Sequence, residues 1–322
     1  MRTVHVGLGT IGLACLRVAA ERPGVEVVAA IEAAPARGGQ DVGELAGLGR
    51  PLGVRVAGDW SAVPPADVAV ICTTSHVADL RPVVATAFER GLDVVSTCEP
   101  LAGPAADDAE AAALDVLARR WHRRVLGVGV NPGFVMDALP LVLTAAQTRV
   151  DAVRVRRVVD AATRRPQLAA KVGAGLTRAE FTAGVKRGEL GHVGLPASAR
   201  LIAEGLGWEL DDLREKFSPV TGADGRCTGA RQQLRATERG RVRILLDLTI
   251  AVGARPSGDT ILLDGSPPLR WATRPATAGD EATAALTINA GLGIRGLAPG
   301  LRTMIDLVSL RYRTGADAEE PG

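Results

Sequence analysis

Residues 3–12 read Thr-Val-His-Val-Gly-Leu-Gly-Thr-Ile-Gly, a β-branched strand running into a GxGxxG turn and then an apolar helix carrying Leu13, Leu16, Val18 and Ala19. That grammar restricts the chain to a βαβ start that accommodates a dinucleotide. Gly7 permits the tight turn, Gly9 lets the backbone approach a pyrophosphate, and Gly12 lets the helix sit close to the strand. Thr10 and Ile11 open the helix, whose N-terminal N–H groups and dipole favour phosphate. A second strand over 25–31 ends in Glu32, twenty residues after Gly12. An acidic side chain there is placed to accept hydrogen bonds from the adenosine ribose hydroxyls.

Composition narrows the class further. Of 322 residues, 47% are hydrophobic and 23% charged, an ordinary globular balance with enough chain for two domains. The net charge of +2 and the scattered arginines give no basic stripe, so neither nucleic acid nor an anionic membrane is expected as a partner. Cys15, Cys72, Cys98 and Cys227 form no C-x-x-C pair or metal-ligand spacing, so reduced thiols and no metal are expected. The chain begins directly with a strand and carries no apolar run of membrane-spanning length, so a cytoplasmic protein is expected.

Up to about residue 131, short apolar runs alternate with helical stretches, which predicts an α/β domain with a doubly wound parallel sheet. After the first two strands come a short third at 55–56, a fourth at 67–72, a helix over 77–90, a fifth strand at 93–96, a helix over 105–120 and a sixth strand over 124–130. Apolar residues on both faces suit burial between helical layers. Beyond 135, the Val/Arg alternation of 150–159 reads as a half-buried strand, as do 241–252, 260–263 and 282–290, with helices over 178–187 and 198–205. The expected division is a dinucleotide-binding domain over 1–135, a second domain over 136–299 with an open mixed sheet, a helix over 300–311 that completes the first, and a mobile tail over 314–322.

Ligands of doubly wound sheets lie outside the carboxyl ends of the strands. Thr73, Thr74 and Ser75 follow the fourth strand, where they could meet the cofactor or where Ser75 could simply cap a helix. Cys98 and Glu99 follow the fifth. A carboxylate directly after a buried strand, with Pro100 beside it, is either used or salt-bridged at the surface. Asn131, in an Asn-Pro-Gly sequence, follows the sixth, where a plain turn is the alternative to a role at the cofactor or substrate. Phe134 and Met136 beyond it could line an apolar pocket wall or belong to the core.

Several long segments carry a more specific signal. Ser96-Thr97-Cys98-Glu99, Gly127-Val128-Gly129-Val130-Asn131-Pro132-Gly133-Phe134-Val135-Met136-Asp137, Arg157-Val158-Val159-Asp160-Ala161, Lys171-Val172-Gly173-Ala174-Gly175-Leu176 and Gly191-His192-Val193-Gly194-Leu195 resemble the 2,4-diaminopentanoate dehydrogenases and the related native amine dehydrogenases. The resemblance spans about residues 1–220. It implies a Rossmann domain followed by a dihydrodipicolinate-reductase-like domain that dimerises, and NAD(P)H-dependent interconversion of amines with ketones and ammonia. It implies that Glu99 is the catalytic acid/base and that the Asn131 loop lies near the nicotinamide. Lys171 and His192 fall in matching segments, each a candidate for the substrate pocket or an ordinary structural residue.

Nine aromatic residues in the whole chain, four Trp, four Phe and one Tyr, leave a pocket built from aliphatic side chains, which suits a small substrate. Lys171 or Arg165 could anchor a substrate carboxylate. Glu32 would repel a 2′-phosphate and so favours NAD, while Arg37 could accommodate NADP. Two other readings remain open: a cyclic-imine reductase of the dihydrodipicolinate type, whose Lys-Pro-Ser-Gly-Thr-Ala loop is absent here, and a non-catalytic dinucleotide sensor.

Overall fold

The structure is a computed structural model and describes residues 1–104, 108–163, 166–191 and 194–313. The chain opens with β1 (Arg2–Val6), α1 (Thr10–Glu21), β2 (Glu26–Ile31), a short α2 (Val42–Leu45), β3 (Val56–Ala57), β4 (Val68–Ile71), α3 (Val77–Glu89), β5 (Asp93–Ser96), α4 (Ala109–Arg120) and β6 (Arg124–Gly127). Every residue of β4 and β5 is buried, as expected for strands between two helical layers. Helix α1 buries Gly12, Cys15, Leu16 and Ala19, the i, i+3, i+4, i+7 stripe of an amphipathic helix. Asp108 starts α4 by accepting the N–H groups of Glu110 (2.7 Å) and Ala111 (3.2 Å), a cap that stabilises a helix by about 1 kcal/mol.

There follow α5 (Ala138–Thr144), β7 (Arg149–Asp160), α6 (Pro166–Lys171), α7 (Arg178–Lys186), α8 (Leu195–Leu206), β8 (Asp212–Thr221), β9 (Cys227–Glu238), β10 (Arg241–Ala251), β11 (Gly258–Ser266) and β12 (Leu269–Thr273). They form a six-stranded sheet of order β12-β11-β7-β10-β9-β8, in which only β7 and β10 run parallel. On β10, Leu246, Leu248 and Ile250 are buried while Leu245, Asp247 and Thr249 between them are half-exposed. Thr177 and Glu180 close a capping box on α7. Arg157 on β7 and Asp259, its register partner on β11, form a doubly hydrogen-bonded ion pair (2.7 and 2.8 Å) that is 3% and 0% exposed. Asp259 also accepts the N–H and hydroxyl of Thr277, and Arg157 donates to the Thr277 carbonyl, so the pair fixes the end of this unit.

The chain ends with α9 (Gly279–Gly293) and β13 (Gly300–Arg302). Both belong with the N-terminal elements, because the compact units are Met1–Gly133 with Ala278–Leu307, and Phe134–Thr277 with the stretch beginning at Val308. The first unit's sheet is wholly parallel, in the order β13-β6-β5-β4-β1-β2-β3.

The last third departs from the sequence expectation in three places. Residues 282–290 are helical. Leu286-Thr287-Ile288-Asn289-Ala290 alternates like a strand, but the buried set Ala284, Thr287, Ile288 and Gly291 follows helical spacing, against α1. Residues 300–311 hold β13 and a 3₁₀ turn at Met304–Leu307 instead of a helix. Gly300 sits at φ +133°, a conformation closed to a helix, and its N–H pairs with the Arg123 carbonyl (2.9 Å), which draws the chain onto the edge beside β6. The main stretch of the second unit therefore ends at Thr277, short of residue 299, and the chain rejoins that unit only from Val308. The tail over 314–322 lies outside the described residues.

Candidate functional site

The strand order places the chain reversal between β1 and β4: β1 leads to β2 and β3 on one side, β4 to β5 and β6 on the other. Ligands of open α/β sheets bind at the carboxyl edge of such a reversal. Parallel strands bring the turns that follow them to one edge, in the spatial order Asn131, Glu99, Thr73 to Ser75, the glycine turn, Glu32. From β2 to β5 there are three inter-strand steps, about 14 Å, the length scale of an extended dinucleotide.

The three glycines of the turn have different physical reasons. Gly7 lies at φ +84°, and a Cβ there would stand 2.8 Å from the Cys72 carbonyl oxygen and 2.9 Å from Thr73 Cγ2. A Cβ on Gly12 would fall 1.9 Å from the Gly7 carbonyl oxygen. Gly9, at an ordinary φ of −65°, would meet nothing within 4 Å. Internal packing demands the first and third glycines and not the second, so the open space over Gly9, at the exposed start of α1, is where an external group can approach the backbone. No side chain caps that helix and its first turn carries no acid. The site therefore suits the pyrophosphate of a dinucleotide, with Gly9, Thr10 and Ile11 beneath it.

Glu32 and Arg37 converge on the same turn. Glu32 accepts the Leu8 N–H on Oε2 (2.9 Å) and the Ala34 N–H on Oε1 (3.1 Å), while Arg37 donates Nη1–H to the Leu8 carbonyl. Burial works against the Glu32 charge, but the Leu8 and Ala34 N–H donors and the Arg37 charge outweigh it and hold the carboxyl below its usual range. Leu8, itself buried, is thus clamped from both sides.

After β4, Thr73 and Ser75 are exposed and Thr74 accepts the His76 N–H (3.0 Å). Ser75 does not cap the next helix: the N-cap of α3 is His76, without a side-chain bond. After β5, the Cys98 thiol is wholly buried in the first unit's core and pushed up to about 11, chiefly by burial, so only its backbone is available to a ligand. Glu99 is half-buried and opens a 3₁₀ turn, Glu99–Ala102. Gly127, ending β6, packs directly on that turn, since a Cβ there would lie 2.2 Å from the Leu101 carbonyl carbon and 2.4 Å from the Ala102 nitrogen. Asn131 is 8% exposed in a loop where Gly133, at φ +121°, folds back against Gly129, its missing Cβ 2.8 Å from the Gly129 oxygen.

In the second unit, Phe134 is half-buried, whereas Met136 is fully buried and belongs to the core instead of a pocket wall. Asp137, also fully buried, caps α5 through the Ala138 N–H (2.6 Å) and accepts the Ser198 hydroxyl (2.6 Å), tying the segment after the Asn131 loop to α8. Lys171 ends α6, and its carbonyl accepts the Gly191 N–H (3.3 Å). His192 and Arg165 lie outside the described residues. Sequence reasoning passed over Gly127, Leu8 and the Asp137–Ser198 pair. Gly127 and Asp137 open and close the long segment over 127–137 and Leu8 lies inside the glycine turn, so each stood in a recognised motif, whereas Ser198 had no such signal.

Residues 134–319 match the model of the 2,4-diaminopentanoate dehydrogenase C-terminal domain, and residues 1–99 match that of the dihydrodipicolinate reductase N-terminus. The chain belongs to the 2,4-diaminopentanoate dehydrogenase family. A relative named 2,4-diaminopentanoate dehydrogenase, from Acetoanaerobium sticklandii, is 28% identical over 95% of this chain and 93% of its own. An amine dehydrogenase of Streptomyces virginiae is 30% identical over 66% of this chain and 61% of its own. The solved structure of an amine dehydrogenase from Mycobacterium smegmatis superposes with a TM-score of 0.79 at 25% identity, covering 97% of each chain. This family member is an oxidoreductase with a dinucleotide-binding fold. Among its described residues no helix is long and apolar enough to cross a membrane.

Proposed function

We propose that the protein catalyses NAD(P)H-dependent reductive amination of a small ketone or aldehyde with ammonia, and the reverse oxidative deamination of an amine, with Glu99 as acid/base. The observation that carries this reading is the seating of Glu99 at the carboxyl end of β5, on a turn held by backbone contact with Gly127, one strand from the chain reversal. Membership of a family whose named relatives are amine and diaminopentanoate dehydrogenases supports it.

Gly9, Thr10 and Ile11 would hold the pyrophosphate, Glu32 the adenosine ribose, and Thr73 to Ser75 with Asn131 the nicotinamide half. When bound, the cofactor supplies or accepts hydride at its nicotinamide. The chain's own chemistry centres on a carboxylate. As an anion, Glu99 holds ammonium and stabilises the cationic iminium. As an acid, it protonates the departing hydroxyl of the carbinolamine. Arg37 is held by the Leu8 carbonyl, so the Glu32 charge dominates at the ribose, and NAD is the preferred cofactor with NADP tolerated. The partners are the small carbonyl or amine and ammonia. We also infer a homodimer formed through the half-exposed face of the second sheet, around Leu245, Asp247 and Thr249 on β10; sedimentation at micromolar concentration tests it.

The deciding assay is NADH oxidation with ammonia against short ketones, aldehydes and 2-amino-4-oxopentanoate, with the cyclic imine of dihydrodipicolinate reductase included because residues 1–99 match that enzyme's N-terminus. Turnover of a carbonyl only when ammonia is present, abolished by Glu99→Gln with NADH binding retained, is the expected result. Turnover of the cyclic imine alone, or NADH binding without turnover of any compound, would overturn the reading.

A further inference from the structure

The first unit holds a cavity of about 420 Å³ at the amino ends of β1 and β2, on the edge of the sheet opposite the candidate site. That volume falls within the range of small-molecule sites. Glu26 starts β2 and Glu32 follows its end, so about 20 Å of strand separates the cavity from Glu32.

The hollow follows from how the edge of the sheet is built. Strand β2 pairs with β3 only at Ala30 and Ile31, so among the described residues Glu26 to Ala29 have no strand on that side. The stretch over 50–54 that leads to β3 is held by the start of α2 instead. The Asp41 carboxylate accepts the N–H groups of Leu52 (2.9 Å) and Gly53 (2.8 Å), and the Val54 carbonyl accepts the Val42 N–H (2.9 Å). Gly43, whose missing Cβ would lie 2.4 Å from the Arg50 carbonyl oxygen, lets the same stretch press onto α2. The space between β2 and 50–54 is therefore preformed.

Its chemistry is simple. Val25, Val28, Leu52, Val54 and Pro64, all half-buried, supply aliphatic walls, and the only polar side chains lining it are Arg2, Glu26 and Arg50. Arg2 and Glu26 pair with each other (3.6 Å), whereas Arg50 is exposed and has no ion pair among the described residues. Two arginines and one glutamate leave one net positive charge, which a single carboxylate balances and a phosphate dianion overshoots. No hydroxyl or carboxamide side chain lines the cavity to recognise a sugar.

We propose that this cavity binds a small aliphatic monocarboxylate. The Arg50 guanidinium takes the carboxylate, its planar fork matching the two oxygens. The hydrocarbon chain leaves water for the surfaces of Val25, Val28, Leu52, Val54 and Pro64. The site is separate from the dinucleotide turn, so acid and cofactor bind at the same time.

Calorimetric titration of the full-length protein with hexanoate tests this. The expected result is one-site binding with a dissociation constant of about 1 mM, unchanged by saturating NADH. Arg50→Gln alters an exposed side chain and is expected to keep the parental melting temperature while weakening hexanoate by about fivefold. Acetate, which lacks the chain, and hexan-1-ol, which lacks the charge, are each expected to bind more weakly than hexanoate by about fivefold or more. The proposal is overturned if hexanoate gives no heat at about ten times the expected dissociation constant, or if parent and Arg50→Gln bind it equally. Displacement of hexanoate by NADH would move the acid to the dinucleotide site, and tighter binding of inorganic phosphate would exclude a monocarboxylate as the ligand class. The titration contains neither ammonia nor a carbonyl substrate, so a failed amination assay leaves it unaffected.

Discussion

Gly127 and Leu101 are in backbone contact so close that a methyl group on Gly127 would fall 2.2 Å from the Leu101 carbonyl carbon. Leu101 lies in the 3₁₀ turn that Glu99 opens, so the end of β6 acts as a backstop for the proposed acid/base. Gly127→Ala must push the turn outward, at a cost of about 1–3 kcal/mol for an overpacked site. A displacement near 1 Å at a catalytic group lowers kcat/KM by about 100-fold. Steady-state kinetics together with NADH titration is expected to show that loss with cofactor affinity unchanged. A folded Gly127→Ala variant with parental turnover would mean that the turn does not position Glu99.

This contact also shows why sequence reading stops where it does. The parallel half was legible because strands buried on both faces are continuous apolar runs, as in Val68–Ile71, and because each turn that follows lands on one edge. Glu99 and Asn131 could be placed at that edge from strand ends alone. The approach of Gly127 to Leu101 depends on how β6 lies beside β5, which no local pattern encodes. Strand β8, with Arg214, Glu215 and Lys216 exposed on the rim of its sheet, lacks the apolar alternation that reveals a strand. In 282–290, a chance alternation of Thr and Asn with aliphatics masked helical spacing.

Gly9 provides a test of the cofactor turn that separates binding from folding. Its Cβ position is open and its φ of −65° is available to any residue, so Gly9→Ala is expected to leave the melting temperature unchanged or slightly raised, through reduced freedom of the unfolded chain. NADH affinity is expected to fall by about tenfold or more, because the methyl group occupies the phosphate approach. Gly12→Ala, with the Gly7 carbonyl 1.9 Å away, is expected to destabilise the fold itself. Parental NADH affinity in Gly9→Ala would show that the pyrophosphate does not lie over this residue.

Glu32 is expected to set the preference between NADH and NADPH. The Leu8 and Ala34 N–H groups and the Arg37 charge keep its carboxyl below the usual range, so it stays ionised from mildly acidic to alkaline pH and the preference should not vary with pH there. Glu32→Gln retains an acceptor for the Leu8 N–H but loses the charge that repels a 2′-phosphate. The ratio of kcat/KM for NADPH over NADH should rise by about tenfold, a change of roughly 1.4 kcal/mol. A parent enzyme that already prefers NADPH would refute this assignment of Glu32.

His5 makes the first unit sensitive to acid. It lies 1% exposed in the middle of β1, its Nε2 3.3 Å from the Thr3 hydroxyl and its Nδ1 without a partner, and burial lowers its pKa to about 3 from an ordinary value of 6.5. The folded pKa is depressed, so between pH 6.5 and about 3 the unfolded chain binds the proton that the folded chain refuses. Stability is therefore fully present above pH 6.5 and declines as pH falls, with a limiting slope of about 1.4 kcal/mol per pH unit from this one site. Comparing the parent with His5→Gln over pH 6.5 to 5 isolates the effect, because contributions from every other group are common to the two proteins. Urea unfolding in that window should show stability falling with pH in the parent and a shallower dependence in His5→Gln, which keeps a polar group near Thr3 but has no proton to take up. Equal slopes for the two proteins would mean that His5 is protonated in the folded state.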